Sequence, residues 1–269
     1  MQSIEQVEKV YPTGCSPLLV HCNNLEYYVC KYNTTRGAAN LLFREYVSAF
    51  FLKLWELQVP DFAFVHLQQH HNPVSVLNIK NEIPCFGSLY NREYREIDAF
   101  IKEASDSQRQ KFVNKKDLLK IALYDYWVAN EDRNFNNYNI MLKLENEQYH
   151  FVPIDGNHIF HSGNQDKENY ALSQDESLLF SPLMLSILKS KTFFNSELAN
   201  EITENYYLHI KSCKSALHDI INQVPSQWQI NKTVEYNNLV NFLFTEKWVD
   251  ACLRTFLNHL QLSVNLRNK

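Results

Sequence analysis

Glycine is scarce in this chain, and its scarcity excludes two common nucleotide-binding motifs. The 269 residues contain only five glycines. No two of them are close enough to form a G-x-G-x-x-G turn or a Walker A loop, whose geometry depends on clustered glycines. A Rossmann dinucleotide site and a P-loop nucleotide hydrolase are therefore not expected.

Long apolar runs and paired cysteines are also missing. The sequence has no uncharged apolar run of the ~18 residues that a transmembrane helix needs. Its first residues include Glu5 and Glu8 and lack the apolar centre of a signal peptide. The six cysteines contain no C-x-x-C pair, so a zinc ribbon or a thioredoxin motif is not expected. These absences predict a protein of the reducing cytoplasm with no membrane partner.

The charge of the chain gives no indication of a nucleic-acid partner. There are 26 Lys and Arg against 30 Asp and Glu, for a net charge of -4. A mildly acidic chain has no overall attraction for DNA, RNA or an anionic membrane. Aromatic residues make up 13% of the chain and fall mostly at apolar positions of predicted elements, which indicates core packing. We therefore expect no direct contact with nucleic acid.

The apolar pattern divides the chain into a β-rich first part and a helical second part. Short β-branched and aromatic runs predict strands, and apolar residues three or four apart predict helices. In the first part we predict strands at 18–20, 27–31, 62–65 and 74–77 and a helix at 38–57. In the second part we predict a hairpin at 139–144 and 148–154, and helices at 117–129, 182–189, 196–210, 212–223 and 236–262. The expected fold is α+β with two lobes, a small β-rich N-lobe over 1–88 and a larger helical C-lobe over 89–269.

Acidic and amide side chains flank the predicted hairpin of the second part. Asp132 and Asn137 lie in the loop before its first strand, and Asp155 directly follows its second strand. Closing the hairpin brings Asn137 and Asp155 within reach of one cation, and their oxygen atoms suit Mg²⁺. In phosphoryl transfer a carboxylate such as Asp132 orients the acceptor hydroxyl and takes its proton.

A lysine of the first part supplies the cation that this chemistry needs on the phosphates. Lys31 ends a predicted strand, where its ammonium can contact a nucleotide phosphate. The next helix offers Glu45, at the edge of its apolar face, as the carboxylate that holds Lys31. Together with the loop residues, this pair predicts a phosphotransferase.

In this order the residues resemble the HipA-like branch of the protein-kinase-like superfamily. Residues 130–133, Asn-Glu-Asp-Arg, are similar to the N-x-D-R segment of that family's catalytic loop, and Asn137 follows as the family's asparagine does. Asp155-Gly156 resembles its metal-binding motif, and residues 29–31 resemble the strand that carries the ATP lysine. The resemblance covers residues 14–182 in sequence order.

This resemblance implies a two-lobed protein-kinase-like fold that transfers the γ-phosphate of ATP to a Ser or Thr hydroxyl of a protein. ATP and Mg²⁺ are the implied cofactors, with the adenine near 84–89. The implied site residues are the catalytic Asp132, the ATP-binding Lys31, Glu45, Gly14 and Ser16, and the metal-binding Asn137 and Asp155. The family also suggests autophosphorylation at Ser16 and a regulatory, antitoxin-like protein partner.

Two other interpretations stay open at this point. The chain could be a catalytically inactive pseudokinase module that binds a nucleotide or a partner, and Asn134 departs from the family's histidine after D-R. Alternatively, Asp155, His158 and His161 form a D-x-x-H-x-x-H pattern near His150 that could hold a transition metal in a hydrolase. A three-residue spacing forms a ligand pair mainly on a helix, and a Gly-Asn pair inside this pattern argues against a helix.

Overall fold

The computed structural model describes residues 1–34, 39–76, 78–103, 105, 111, 115–164, 170–187 and 196–266. Its strands are β1 (Lys9–Val10), β2 (Leu18–His21), β3 (Tyr27–Lys31), β4 (Phe62–Val65), β5 (Cys85–Leu89), β6 (Tyr94–Glu96), β7 (Ile140–Glu145) and β8 (Gln148–Pro153). Its helices are α1 (Ala39–Leu54), α2 (Ile97–Glu103), α3 (Lys115–Val128), α4 (Pro182–Ile187), α5 (Ser196–Asn222), α6 (Lys232–Leu243) and α7 (Glu246–Leu266). Short turns lie at Gln69–His71, Ile159–Gly163, Leu178–Phe180 and Ser226–Trp228.

The first five strands form one antiparallel sheet in the order β1-β2-β3-β5-β4. The predicted strands at 18–20, 27–31 and 62–65 are β2, β3 and β4 of this sheet. The sequence pattern did not predict β5, because glycine and serine in its centre weaken a strand signal. Gly87 is needed there for close approach, since a Cβ at this position would lie 2.9 Å from Cγ2 of Val65.

The predicted strand at 74–77 is wrong. Residues 74 and 75 form a turn, in which the N–H of Val76 donates to the carbonyl of Pro73 at 3.2 Å. Val74 is 98% exposed, and Leu77 lies outside the described residues. A hydrogen bond from the fourth residue back to the first is typical of a β-turn, and this local turn outweighs the β propensity of the valines.

Helix α1 packs between this sheet and the helices of the second lobe. Its Tyr46 donates to the carbonyl of Ile220 on α5 at 3.0 Å. Trp55, directly after the end of α1, stacks on Trp127 of α3 with ring centroids 5.7 Å apart, and both tryptophans are fully buried. One apolar core therefore extends from the first lobe into the second through α1, which fixes the position of that helix relative to α3.

The second lobe contains a three-stranded sheet in the order β6-β7-β8 and the helices α2 to α7. The hairpin of β7 and β8 turns at Asn146 and Glu147, whose φ values of 49° and 63° are those of a type I′ turn. Ile140 pairs with Pro153 at its open end. This pairing places the loop before β7 next to the residues that follow β8.

The helix boundaries of the second lobe correct two predictions. The two helices expected at 196–210 and 212–223 are one helix, α5. The single helix expected at 236–262 is two helices, because the hydroxyl of Thr245 accepts from the N–H of Trp248 at 3.4 Å and so caps a new helix.

The small sheet lobe and the larger helical lobe confirm the predicted α+β fold class. The boundary between residues 88 and 89 stays a prediction. In the described part of the chain, no helix is both long and apolar enough to cross a membrane.

Candidate phosphotransfer site

Lys31, Glu45 and Asp155 meet where the two lobes face each other. Nζ of Lys31, at the end of β3, forms an ion pair with Oε1 of Glu45 on α1. The same Nζ lies 2.7 Å from Oδ1 of Asp155, two residues beyond β8. The side chains of Lys31 and Glu45 are only 15% and 6% exposed. The ammonium of Lys31 therefore contacts two carboxylates, one from each side of the cleft.

The charged groups in this cluster shift one another's pKa values. Burial raises the pKa of Glu45 to about 7, although the ammonium of Lys31 opposes the shift. Burial acts in the same direction on Asp155, but Lys31, together with smaller effects of Glu45 and His158, holds the pKa of Asp155 below its ordinary value. The two carboxylates raise the pKa of Lys31 against the effect of its own burial. Lys31 and Asp155 are consequently charged at neutral pH.

Helix α1 also holds the backbone that follows Asp155. The N–H of Gly156 donates to Oε2 of Glu45 at 3.1 Å. A Cβ on residue 156 would lie 2.2 Å from Oγ of Ser48, so only glycine fits between this loop and α1. Arg44, next to Glu45, donates from Nε to the carbonyl of Asn157. The position of Asp155 is therefore set by α1 as well as by β8.

Asp132 is held by two amides of the loop that leads into β7. Nδ2 of Asn137 and Nδ2 of Asn139 both donate to Oδ2 of Asp132, at 2.9 Å and 2.7 Å. Oδ1 of Asp132 is not used by either amide, and Asn137 keeps its own Oδ1, the atom with which an amide binds a cation. The sequence pattern did not single out Asn139. Its φ is 47°, a conformation that asparagine tolerates better than most residues.

Arg133 lies beneath this loop in a buried network. It is completely buried, and its Nη1 forms an ion pair with Oδ1 of Asp125 on α3. Its Nη2 donates to the carbonyl of Ile154 at 2.9 Å. Burial raises the pKa of Asp125 to about 7, although Arg133 opposes the shift. Arg133 thus ties the loop before β7 to the residue that precedes Asp155.

The structure brings the predicted site residues together in two groups. Lys31, Glu45 and Asp155 form one group, and Asp132 with Asn137 forms the other. The groups are joined through Ile154, which contacts Arg133 and whose N–H donates to the carbonyl of Asn139 at 2.9 Å. Among the hydrogen bonds of the described residues, none joins Asn137 to Asp155.

The loop between β1 and β2 lies close to the first group. Gly14 in this loop has open space around the position of a Cβ. The N–H of Ser16 donates to the carbonyl of Thr13 at 2.9 Å, inside the loop. Sγ of Cys15 accepts from Nδ2 of Asn157 at 3.6 Å, a contact that the sequence did not predict. The loop is therefore attached to the backbone segment after Asp155.

Comparison with known proteins assigns the family. The family model of HipA-like kinases matches residues 4–258. The chain belongs to the HipA-like kinase family. The match spans both lobes of the chain, in agreement with the resemblance found in its motifs.

Solved structures show the fold of this HipA-like kinase. The proinflammatory kinase CtkA of Helicobacter pylori is 13% identical, with a TM-score of 0.57 over 96% of this chain and 98% of that one. The Golgi casein kinase is 10% identical, with a TM-score of 0.52 over 98% and 73%. The complex of HipA, HipB and operator DNA from Shewanella oneidensis MR-1 is 13% identical, with a TM-score of 0.39 over 97% and 67%. No curated protein sequence matches the chain. The first two likenesses confirm a two-lobed kinase fold.

The donor atoms of the HipA-like kinase suit Mg²⁺ better than a transition metal. Asp155 and Asn137 offer carboxylate and amide oxygens, the hard ligands that Mg²⁺ accepts when phosphates and water complete its shell. The alternative histidine site is not formed. Nδ1 of His158 lies 3.0 Å from Oγ of Ser162, and the described residues contain no group of three or more His, Cys, Asp or Glu arranged to hold a metal.

Proposed function

We propose that this HipA-like kinase transfers the γ-phosphate of ATP to a serine or threonine hydroxyl of a protein. The observation that supports the proposal most strongly is the shared ammonium of Lys31, which is 2.7 Å from Asp155 and paired with Glu45. A lysine held in this way is poised to contact phosphates, and an adjacent carboxylate is poised to hold their metal ion.

In this proposal Lys31 binds the phosphates and Glu45 keeps its ammonium in place. Asp155 and Asn137 would hold Mg²⁺, which would neutralise negative charge on the phosphates of ATP. The backbone N–H groups of Gly14 and Ser16 would cover the phosphates, and the N–H of Ser16 must first leave the carbonyl of Thr13 that it now contacts.

Asp132 takes the role of the catalytic carboxylate. Two amides fix its Oδ2, which leaves Oδ1 to accept the hydrogen of the acceptor hydroxyl. The oxygen of the acceptor hydroxyl attacks the γ-phosphorus, the bond from the γ-phosphorus to the β–γ bridging oxygen breaks, and ADP leaves with the electron pair. The proton of the hydroxyl passes to Asp132, in the manner of general base catalysis.

Transfer of labelled γ-phosphate from ATP to a general protein acceptor tests the proposal. Asp132→Asn should lower the transfer rate by about 10²- to 10⁴-fold, since a positioned base contributes that much, and should leave the thermal shift with ATP and Mg²⁺ intact. Asp155→Ala should abolish that thermal shift. The matched control is Asp219→Asn, which removes a carboxylate that is 82% exposed on α5, and it should behave as the wild type.

The same experiment distinguishes an active kinase from the inactive pseudokinase alternative. A wild-type protein that shows a thermal shift with ATP and Mg²⁺ but transfers no phosphate would be a nucleotide-binding pseudokinase. A protein that neither transfers phosphate nor responds to the nucleotide would contradict both functions.

Two finer expectations of the family remain proposals for this chain. Ser16 is the proposed autophosphorylation site, and its hydroxyl now donates to the carbonyl of Thr13 at 3.3 Å. Mass spectrometry after incubation with ATP and Mg²⁺ should find a phosphate on Ser16, and its absence in an active preparation would remove this proposal. An antitoxin-like regulatory protein is the proposed partner, which co-purification from the native cell would test.

A further inference from the structure

Glu131 and His161 join the catalytic loop to the segment after Asp155. Nδ1 of His161 lies 2.8 Å from Oε1 of Glu131. The backbone N–H of His161 donates to the carbonyl of Ala129 at 3.1 Å. Because an ionised carboxylate can only accept, Nδ1 carries the hydrogen of the first bond. His161 therefore contacts the start of the catalytic loop through both its ring and its backbone.

The backbone around His161 adopts a conformation that side chains disfavour. Phe160, His161 and Ser162 have φ values of 61°, 49° and 57°, in the left-handed region where Cβ lies too close to the following carbonyl. Such a turn persists only where its surroundings hold it, and it occurs preferentially at functional sites. Phe160 and His161 are 0% and 1% exposed, so the surrounding protein holds this turn closely.

The ring of His161 is poorly suited to a role in packing alone. Its Nε2 is buried without a hydrogen-bond partner, and burying an unpaired polar atom is unfavourable. An apolar side chain at this position would avoid that cost. The bond from Nδ1 to Glu131 is thus the feature that only a hydrogen-bonding side chain provides here.

We propose that Glu131 and His161 form a clamp that positions Asp132 relative to Asp155. Glu131 directly precedes Asp132, and His161 lies six residues after Asp155. The inference rests on the proposed function, because it assigns the pair as positioning residues for the carboxylate that takes the proton and the carboxylate that holds the metal. A small misplacement of reacting groups lowers turnover strongly, whereas the contacts of Lys31 with the nucleotide would remain.

Steady-state kinetics of paired variants test the clamp. Glu131→Leu removes the acceptor, and Glu131→Gln keeps a carbonyl oxygen for His161. We expect Glu131→Leu to lower kcat by about 10- to 100-fold with KM for ATP changed by less than about threefold, and Glu131→Gln to restore most of kcat. His161→Leu should match Glu131→Leu, and His161→Asn, which keeps an N–H donor, should restore part of kcat.

Tyr170→Phe is the matched control. The hydroxyl of Tyr170 donates to the same Oε1 of Glu131 at 2.9 Å, and its ring stacks on His161 with centroids 4.1 Å apart. Phenylalanine keeps the stacking and the bond between Glu131 and His161, so kcat should stay at the wild-type value.

The outcomes separate the clamp from the proposed function. Equal kcat in Glu131→Leu and Glu131→Gln would overturn the clamp, even if the histidine variants fail to fold. If Glu131→Leu lowers kcat/KM only by raising KM for ATP, with kcat unchanged, that result would overturn the clamp as well. Absence of phosphate transfer in the wild-type protein would instead overturn the proposed function, and the clamp with it.

Discussion

Removing Arg133 tests how the loop before β7 is attached to the strand that leads to Asp155. Arg133 is 0% exposed and pairs with Asp125, whose side chain is 2% exposed. Arg133→Met keeps a long side chain in the space but leaves the carboxylate of Asp125 buried without its counter-charge. Removing one partner of a buried ion pair costs about 3–5 kcal/mol. We expect Arg133→Met to lower the free energy of unfolding by about that amount at pH 8.

This loss should depend on pH in a defined direction. Burial already raises the pKa of Asp125 from 3.8 to about 7, and loss of Arg133 raises it further. A carboxyl whose pKa is raised by folding stabilises the folded state below its unfolded pKa, and the contribution is lost as pH rises through the folded pKa. The cost of Arg133→Met should therefore be smaller at about pH 5.5 than at about pH 8.

Urea unfolding followed by tryptophan fluorescence at both pH values provides the measurement. The control is the double variant Asp125→Asn/Arg133→Met, which removes both charges and keeps an oxygen for Nδ2 of Asn130, now 3.0 Å from Asp125. Its cost should be clearly below that of the single variant. A single variant that costs less than about 1 kcal/mol at pH 8, or a double variant that costs as much as the single one, would refute the reasoning.

Three further predictions concern Gly87 in the first sheet, Glu45 on α1 and Asn139 in the loop before β7. Gly87→Ala should lower the free energy of unfolding by about 1–3 kcal/mol, because its Cβ would lie 2.9 Å from Cγ2 of Val65; an unchanged urea midpoint would contradict this. Since burial raises the pKa of Glu45 to about 7, its stabilising contribution is lost as pH rises through that value. The stability of Glu45→Gln relative to the wild type should thus increase from about pH 5 to about pH 8. A difference in thermal midpoint between the two proteins that stays the same at both pH values would argue against this. Asn139→Ala, which removes the 2.7 Å bond to Asp132, should lower kcat by about tenfold at constant KM for ATP, whereas an unchanged kcat would exclude a positioning role.

Local sequence patterns predicted much of the fold because the elements near the cleft follow simple rules. The hairpin of β7 and β8 alternates apolar and polar residues over part of each strand, on both sides of a turn at Asn146 and Glu147, and such alternation predicts strands. The apolar face of α1 has the spacing of a buried helix. Strand β5 carried no such signal, because its glycine is required by neighbouring strands that are distant in sequence.

The contacts within the site could be predicted only in part. Lys31 and Glu45 occur in the order and spacing of a known motif, and the two residues form an ion pair. The network of Asp125 and Arg133 and the bond between Glu131 and His161 depend on how α3 packs against the residues after β8. Contacts of this kind are set by tertiary packing, and no local pattern in the sequence encodes them.

A crystal structure with a non-hydrolysable ATP analogue and Mg²⁺ tests the central claim most directly. We expect the triphosphate to contact Nζ of Lys31, with the metal bound by oxygens of Asp155 and Asn137 and with Oδ1 of Asp132 facing the γ-phosphate. A nucleotide bound elsewhere, or one whose phosphates leave the ion pair of Lys31 and Asp155 untouched, would contradict the account.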